Sequence, residues 1–262
     1  MIPYSTISSL AQGGLAELTL VELEGGRRAV LRRLHTSKVL HLNEHLTFRR
    51  GVKIRAAMGM HENIIGSLAH GYEGIRPYEI IEYLQGENLK SLFNARNAML
   101  LANLERILRL AAHGVAHVHQ LGYMHLDVKP ENFLCSLHGI PRVKLTDFDL
   151  AREATCRGPR HQMGTPAYMA PEQFRDKISC PASDVFAFCV MAYHFFTNKM
   201  PFTGSTVKST LKRQASESVE APPPIESNPD MPKNWNAVIV RGLAKHPEQR
   251  FPDMGALIDR LN

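Results

Sequence analysis

The spacing of hydrophobic and polar positions predicts a strand-rich first third of the chain. AELTLVEL at 16–23 and RRAVLRRL at 27–34 alternate in the manner of β-strands, and Gly25-Gly26 between them is typical of a hairpin turn. IIGSLAHGYE and PYEIIEYL, further along, are two more strand candidates. Residues 44–57 lie between the two strand pairs and predict a helix.

Helical spacing dominates from about Leu89 onward. LERILRLAAHGVAHVHQLG repeats apolar residues at helical intervals, whereas NFLCS and RVKLTD predict two short strands around a turn at His138-Gly139. The Pro-rich stretch at 221–232 predicts a surface loop. Strands followed by helices predict an α+β fold of two lobes, an N-terminal one over about 1–84 and a C-terminal one over about 85–262.

Composition narrows the class of protein. The 262 residues are 44% hydrophobic and 21% charged, which is ordinary for a globular domain with a substantial core. No apolar run approaches the roughly 20 residues that span a bilayer. The first residues also lack the basic-then-apolar order of a secretory signal, so we expect a cytoplasmic protein without a membrane span.

Cysteine usage and charge add two expectations. The four cysteines form no CxxC pair, which favours reduced, mostly buried thiols over a metal site or disulfide framework. Residues 1–60 hold most of the formal charge of +6, and a solvated basic face is the simplest interpretation. Basic residues are not interleaved with aromatic ones, so we expect no nucleic-acid partner.

Two motifs carry the residue types that phosphoryl transfer requires. HLDVKPENFLC lies at 125–135 and KLTDFDLA at 144–151, and GTPAYMAPE and SDVFAF follow them. Such chemistry needs a group that orients the attacking hydroxyl, a cation near the transferred phosphate, and oxygen ligands for Mg²⁺. In that order, the candidates are Asp127, then Lys129, then Asn132 and Asp147.

Together these segments resemble the eukaryotic-type Ser/Thr protein kinase family, including its bacterial members, over nearly the whole chain. The resemblance implies the two-lobed kinase fold, ATP in the cleft between the lobes, Mg²⁺ or Mn²⁺ as the metal, and a protein as substrate. It implies that Lys129 belongs to the Ser/Thr subtype and that Thr165 lines the acceptor site. It also pairs Glu172 with Arg250 and lets Asp184 accept hydrogen bonds from the backbone of 125–127.

The same resemblance implies an adenine slot. PYEIIEYLQGENL at 77–89 is similar to the linker between the lobes, with Ile81 as gatekeeper. The backbone from Glu82 to Leu84 would meet the adenine edge. An open slot and a slot closed by its own apolar packing are both compatible with the residues that would sandwich the ring. These residues are Leu18, Val30 and Leu134.

The nucleotide-gripping elements depart from the family pattern. Only Gly13 remains of the three loop glycines, since Ala11 and Ala16 occupy the other two positions. Arg32 stands where the family has a phosphate-gripping lysine, a change that is not conservative at a tight site. The helix glutamate that should pair with it is Gly51, so the family's ion pair is expected to be broken.

Three further departures surround this site. Arg55 takes a normally apolar position, which implies that the helix is displaced or that Arg55 reaches Asp147, Asp149 or a ligand phosphate; alternatively, its side chain extends to solvent. Asp149 replaces the glycine of the DFG motif. Leu126 replaces the arginine of HRD, which argues against control by phosphorylation of the activation segment, although Thr155 remains a candidate site there.

Two functions stay open on these grounds. The first is a Ser/Thr protein kinase with weakened or unconventional ATP-dependent activity. The alternative is a pseudokinase that serves as a nucleotide-binding or protein-binding scaffold or allosteric module. A small-molecule phosphotransferase is disfavoured, because GTPAYMAPE and SDVFAF match the protein-substrate branch.

Overall fold

A five-stranded antiparallel sheet forms the N-terminal part of the computed structural model, which describes residues 2–155 and 165–261. The strand order is β1-β2-β3-β5-β4. Gly25 and Gly26 adopt the positive φ values of 82° and 76° that a tight hairpin between β2 and β3 needs. The strands are β1 (Tyr4–Gln12), β2 (Ala16–Leu23), β3 (Arg28–Leu34), β4 (Ser67–Glu73) and β5 (Arg76–Glu82).

The sequence pattern identified four of these strands and missed β1. The residues of β1 read YSTISSLAQ, and this edge strand is largely exposed, so it shows no buried apolar alternation. It is held by backbone pairing with β2. On the other side of β2, strand β3 places Arg32 directly opposite Leu18 of β2 and Glu79 of β5.

Helix α1 (Leu42–Ala57) packs beside the sheet and begins two residues before the predicted helix. Its buried residues are Phe48, Gly51, Val52, Ile54 and Arg55. Phe48 and Val52 form a small apolar cluster with Ala16 and Leu34 of the sheet. The face of α1 that carries Gly51 is turned to the chain at 148–149.

The C-terminal part is predominantly helical, as the change of period predicts. Two short sheets accompany these helices: β6 (Glu87–Asn88), β8 (Phe133–Ser136) and β9 (Arg142–Leu145) form one, and β7 (Tyr123–Met124) and β10 (Arg152–Glu153) form the other. The helices are α2 (Leu89–Asn94), α3 (Ala98–Ala102), α4 (Leu104–Gln120), α5 (Pro171–Arg175), α6 (Pro181–Thr197), α7 (Val207–Ala215), α8 (Lys233–Gly242) and α9 (Met254–Leu261).

The main core lies around α4 and α6. Helix α4 buries one apolar face, whereas α6 is apolar around nearly its whole circumference and runs through the centre of the core. Trp235 of α8 is fully buried against this centre. Pro224 and Met231 are also buried, so the predicted surface loop at 221–232 is anchored to the core at two points.

Three of the four cysteines lie in the described part of the chain, and all three are free thiols. Cys135 and Cys189 are buried, as predicted, and Cys180 is half-buried. Burial raises the pKa of the Cys189 thiol to about 12, so it stays protonated. Cys156 lies outside the described residues. Within the described ranges, no helix has the length and apolar character needed to cross a membrane.

Candidate active site

A cleft of about 410 Å³ opens between the five-stranded sheet and the helical part. Val30, Ile81 and Leu84 pack in one apolar cluster, with Leu18 and Leu134 against its edge. These side chains pack together and still border open space, which fits the open-slot interpretation. All ten predicted nucleotide- and metal-binding residues line the cleft: Gly13, Leu18, Val30, Arg32, Ile81, Glu82, Leu84, Asn132, Leu134 and Asp147.

The strand end at Glu82 is fastened to its surroundings. The Glu82 N–H donates to the Gly66 carbonyl at 2.9 Å, so it is not available to a ligand. Lys144 Nζ lies 3.0 Å from Glu82 Oε2. In the predicted adenine-contacting segment, the backbone groups that follow the Glu82 N–H therefore remain available to a ligand.

The residues of the HLDVKPEN motif converge beside the cleft, which Asn132 lines and Asp127 does not. Lys129 Nζ lies 2.7 Å from Asp127 Oδ2 and donates to Thr165 Oγ1 at 3.0 Å. Asn132 Nδ2 donates to both the carbonyl and Oδ2 of Asp127 at 2.8 Å. The predicted catalytic residues Asp127, Lys129 and Thr165 thus form one connected group, although they come from two separate motifs.

Asp184, at the start of α6, holds the backbone of this loop in place. Its carboxylate accepts hydrogen bonds from the N–H groups of His125 and Leu126, both at 2.7 Å, as the sequence predicted. Leu126 has a φ of 63°, an unfavourable value for a residue with a branched side chain. The two charge-assisted hydrogen bonds offset this strain and fix the direction of Asp127.

Asp147 supplies a carboxylate to the cleft. Burial alone would raise its pKa, but the nearby charges of Arg32, His125 and Arg55 hold the pKa below its ordinary value, so the group is ionised at neutral pH. Asn132 also lines the cleft, and because its Nδ2 is used by Asp127, its amide oxygen is the atom left for a ligand. One carboxylate and one amide oxygen are ligands that Mg²⁺ accepts.

Arg32 lies between two carboxylates. Its Nη1 is 2.9 Å from Glu79 Oε2, and its Nη2 is 2.9 Å from Asp149 Oδ2. Burial by itself would lower its pKa, but Asp149, Glu79 and Asp147 raise the pKa above its ordinary value, so Arg32 is always charged. Gly51 supplies no carboxylate, and Arg32 pairs instead with acidic residues of β5 and of the Asp147-Phe148-Asp149 motif, which the sequence analysis did not consider.

The comparisons with known proteins agree with this geometry. The protein kinase domain model matches residues 4–258. The chain belongs to the protein kinase domain family. It is 30% identical to the tyrosine-protein kinase MasK of Myxococcus xanthus and 29% identical to the serine/threonine-protein kinase PrkC of Bacillus subtilis, in each case over 99% of this chain. It is 32% identical over 73% of its length to the serine/threonine-protein kinase PknL of Mycobacterium tuberculosis.

The chain spans less than half the length of these curated relatives. The matched regions cover 42% of MasK, 41% of PrkC and 48% of PknL. The comparison therefore concerns the kinase domains of larger proteins.

Arg55 of this kinase domain has a partner that the sequence analysis did not consider. Its side chain is fully buried, with Nε 3.0 Å from Glu79 Oε1 and the guanidinium 5.0 Å from the centre of the Phe148 ring. Its burial excludes the extension to solvent, and its ion pair is with Glu79, not with Asp147 or Asp149. This carboxylate partner, Glu79, faces inward from β5. The signal for this pairing was Glu79, a carboxylate on the same face of the predicted strand PYEIIEYL as Ile81.

Helix α1 is docked on the chain that follows Asp147. Arg50, on the same helix, donates to the carbonyls of Asp149 at 2.8 Å and Ala151 at 3.1 Å. At Gly51, a Cβ atom would lie 2.7 Å from Asp149 Oδ1 and 3.0 Å from both the Asp149 Cα and the Phe148 carbonyl oxygen. The absence of a side chain at Gly51 is what allows this close approach.

The predicted ion pair of the APE motif is confirmed. Arg250 and Glu172 are both fully buried, and Arg250 Nη1 and Nη2 donate to the two Glu172 carboxylate oxygens at 2.9 and 2.8 Å. Ser183 Oγ donates to the same carboxylate at 2.6 Å. This bidentate pair ties the start of α5 to the end of the chain.

Proposed function

We propose that this domain binds ATP with Mg²⁺ and transfers the γ-phosphoryl group to a Ser or Thr hydroxyl of a protein. The observation that carries the proposal is the position of Lys129, whose Nζ bridges Asp127 Oδ2 and Thr165 Oγ1. An acceptor hydroxyl beside Thr165 would lie within reach of both the Asp127 carboxylate and the Lys129 ammonium group. Catalysis of this kind depends chiefly on such positioning.

Each residue of the group has a distinct task in this proposal. Asp127 accepts the hydrogen bond of the acceptor hydroxyl and orients its oxygen toward phosphorus. Lys129 offsets the negative charge of the transferred phosphoryl group. Asn132 keeps Asp127 in place through two hydrogen bonds and, with Asp147, offers the oxygen ligands for Mg²⁺. When bound, Mg²⁺ would neutralise the phosphate charge, which the carboxylates of Asp127 and Asp147 would otherwise repel.

The protein acceptor and its residue type are inferences from the motif and the relatives. PrkC and PknL are named serine/threonine-protein kinases, whereas MasK is named a tyrosine-protein kinase. The Lys129–Thr165 hydrogen bond favours the first class, because it joins the DVKPEN lysine to the segment that would receive a short hydroxyl side chain. We assign the nucleotide-facing part to an N-terminal lobe over about 1–84 and place the domain in the cytoplasm, where ATP is available.

A second candidate function rests on Arg32. Both of its terminal nitrogens pair with carboxylates, which would compete with a bound phosphate for the same charge. A domain that binds nucleotide without efficient transfer, and acts as a scaffold or allosteric module, would fit this arrangement.

Substitution of Asp127 separates these two functions. We expect Asp127→Asn to lower the transfer of labelled γ-phosphate to Ser- and Thr-containing peptides by about 10²–10⁴-fold, the usual contribution of such a group. We expect the Kd for Mg·ADP to change by less than about twofold, because Asp127 faces the acceptor and does not line the nucleotide cleft.

Asp259→Asn is the matched control, since Asp259 is an exposed carboxylate on α9. Wild-type activity in the Asp127 variant would refute the role of Asp127. Mg·ADP binding without transfer by the wild-type protein, with either Mg²⁺ or Mn²⁺, would favour the scaffold function. Transfer to Tyr-containing peptides alone would refute the assigned acceptor.

A further inference from the structure

The ion pair between Arg32 and Asp149 joins two elements that are distant in the sequence. Arg32 lies in the middle of β3, and Asp149 lies 117 residues later, two residues after the proposed metal ligand Asp147. Both residues line the nucleotide cleft, whereas Glu79, the other partner of Arg32, is fully buried in the sheet. Asp149 is therefore the carboxylate that holds the guanidinium on the side of the cleft.

The surroundings of Asp149 are shaped to admit its side chain. Its Oδ1 occupies the space where a Cβ of residue 51 would come within 2.7 Å, so the carboxylate fits only because position 51 is glycine. The Arg50 side chain donates to the Asp149 carbonyl at 2.8 Å and fixes the backbone from the same helix. Two adjacent residues of α1 thus place the carboxylate opposite Arg32.

We propose that Asp149 is the positioning residue for Arg32, supplying from the Asp147-Phe148-Asp149 motif the carboxylate that α1 lacks at Gly51. Arg32 is then held at the cleft, where it can meet the α- and β-phosphates of a nucleotide. This inference rests on the proposed nucleotide binding for its consequence, but the positioning itself is a property of the protein without ligand.

The alternating order of the charges explains why Asp149 is needed. Arg55, from α1, pairs with the other carboxylate oxygen of Glu79, so Glu79 is shared between two arginines. Without the Asp149 carboxylate, Arg32 would keep only this shared partner, which draws it away from the cleft. The guanidinium would then lose the orientation that presents Nη2 to the nucleotide side.

A double-mutant cycle on nucleotide affinity tests the proposal. The variants are Asp149→Asn, Arg32→Gln and the double variant, and the probe is Mg·ADP, titrated by calorimetry. We expect Asp149→Asn to weaken binding about tenfold, which is the effect of losing about 1.4 kcal/mol. The double variant should bind Mg·ADP no more weakly than the single variant that has the lower affinity, because each substitution removes the same interaction.

The ion pair between Arg33, which follows Arg32 on β3, and Glu73 of β4 provides the control. It is partly exposed, with Nε 3.1 Å from Oε2, and Arg33→Gln and Glu73→Gln likewise replace an arginine and a carboxylate by neutral amides. These variants should leave the Kd for Mg·ADP unchanged. If the domain is active, Asp149→Asn should also raise the KM for ATP without changing the KM for the peptide.

Two results on nucleotide affinity would overturn the proposal. One is equal or tighter Mg·ADP binding by Asp149→Asn, which would make Asp149 a carboxylate that only repels phosphate. The other is strictly additive effects of the two substitutions. If the wild-type protein binds no Mg·ADP, the proposed function is refuted. The positioning of Arg32 by Asp149 must then be tested without nucleotide.

NMR of the Arg32 guanidinium gives that independent decision. In the wild-type protein, rotation about the Cζ–Nη bonds of Arg32 should be slow, because both Nη atoms are held by carboxylates. In folded Asp149→Asn, the Nη2 signal should exchange faster, while the signals of Arg55 stay as they are. Unchanged Arg32 signals would show that Asp149 does not position this side chain.

Discussion

At the scale of single residues, the shape of arginine explains why Arg32 differs from the family's lysine. The guanidinium reaches Glu79 through Nη1 and Asp149 through Nη2, whereas a lysine would have to share one nitrogen between the two carboxylates. The two carboxylates and the arginine are buried together, so the residue types depend on one another. Gly51 belongs to the same set, because its missing side chain leaves the room that Asp149 fills.

Gly51→Ala tests this dependence. A methyl group at Gly51 would contact Asp149 and the Phe148 carbonyl oxygen at 3.0 Å or less, and the backbone atoms cannot rotate away. We expect the substitution to lower the free energy of unfolding by about 1–3 kcal/mol, as overpacking does. Urea denaturation followed by circular dichroism measures the change.

Gly255→Ala on α9 is the matched control, because a Cβ there would meet only the Asp253 side chain, at 3.2 Å. This control should keep or raise the stability by up to about 1 kcal/mol, the helix preference of alanine over glycine. A stability gain in Gly51→Ala similar to that of the control would contradict the tight contact at Gly51.

At the scale of elements, a chain of alternating charges joins the parts of the site. It runs from Asp149 to Arg32 on β3, then to Glu79 on β5, and ends at Arg55 on α1. All four residues are buried, so no member can lose its charge partner without a large desolvation cost. Two of the nine basic residues in 1–60 are used in this way, which the interpretation as a solvated basic face did not anticipate.

Glu79→Gln should therefore be severely destabilising. Glu79 pairs with Arg32 at 2.9 Å and with Arg55 at 3.0 Å, and its substitution would leave Arg55 without a carboxylate partner within ion-pair distance. We expect a loss of about 3–5 kcal/mol in the free energy of unfolding, typical of breaking a buried pair. Urea unfolding at pH 7 measures it.

Two further variants show whether the loss comes from the unpaired charge. Arg55→Met combined with Glu79→Gln should recover part of the stability, because the most deeply buried cation is removed. Glu73→Gln, which breaks the partly exposed pair with Arg33, should cost less than about 1 kcal/mol. A loss in Glu79→Gln no larger than in Glu73→Gln would refute the charge chain.

At the scale of the whole molecule, the two parts are fastened along the rear of the cleft. The Leu145 N–H donates to the Asn63 carbonyl at 2.8 Å, and the Ile65 N–H donates to the Leu145 carbonyl at 2.9 Å. Ile54 of α1 and Met58, directly after the helix, belong to the same core cluster as Phe148. The helix that borders the nucleotide site is therefore packed on the helical part as well as on the sheet.

Metal dependence of nucleotide binding is the corresponding prediction. Asp147 and Asn132 face the cleft together, so a bound nucleotide should be held largely through Mg²⁺. At 100 times Kd, ADP with Mg²⁺ should stabilise the domain by about 2.7 kcal/mol and raise Tm by about 5–10 °C. Differential scanning fluorimetry with and without EDTA measures the shift.

Asp147→Asn should lose most of the increment that Mg²⁺ provides, whereas Asp259→Asn on the exposed face of α9 should keep it. Equal shifts with Mg²⁺ and with EDTA in the wild-type protein would contradict the role of the metal. A shift in neither condition would indicate that the apolar slot excludes the nucleotide.

The sequence by itself determined the α+β class, most of the strands and the grouping of the proposed catalytic residues. Apolar spacing reflects burial within one element, so it predicted helices such as α4 without reference to the rest of the chain. Asp127, Lys129 and Asn132 lie within six residues, and a short motif of this kind fixes their mutual distances locally. Strand β1 was not predicted, because it is held by backbone pairing and its side chains show no apolar pattern.

Only the tertiary structure decided which carboxylates pair with Arg32 and Arg55. The partners of Arg32 lie 47 and 117 residues away, and opposite charges at such separations carry no periodic signal. Their pairing depends on which buried side chains the packing of α1 against the 148–151 chain brings within about 4 Å, where Coulomb attraction offsets desolvation. For this reason, Gly51, which stands where the family has a glutamate, provides the space that the Asp149 side chain occupies.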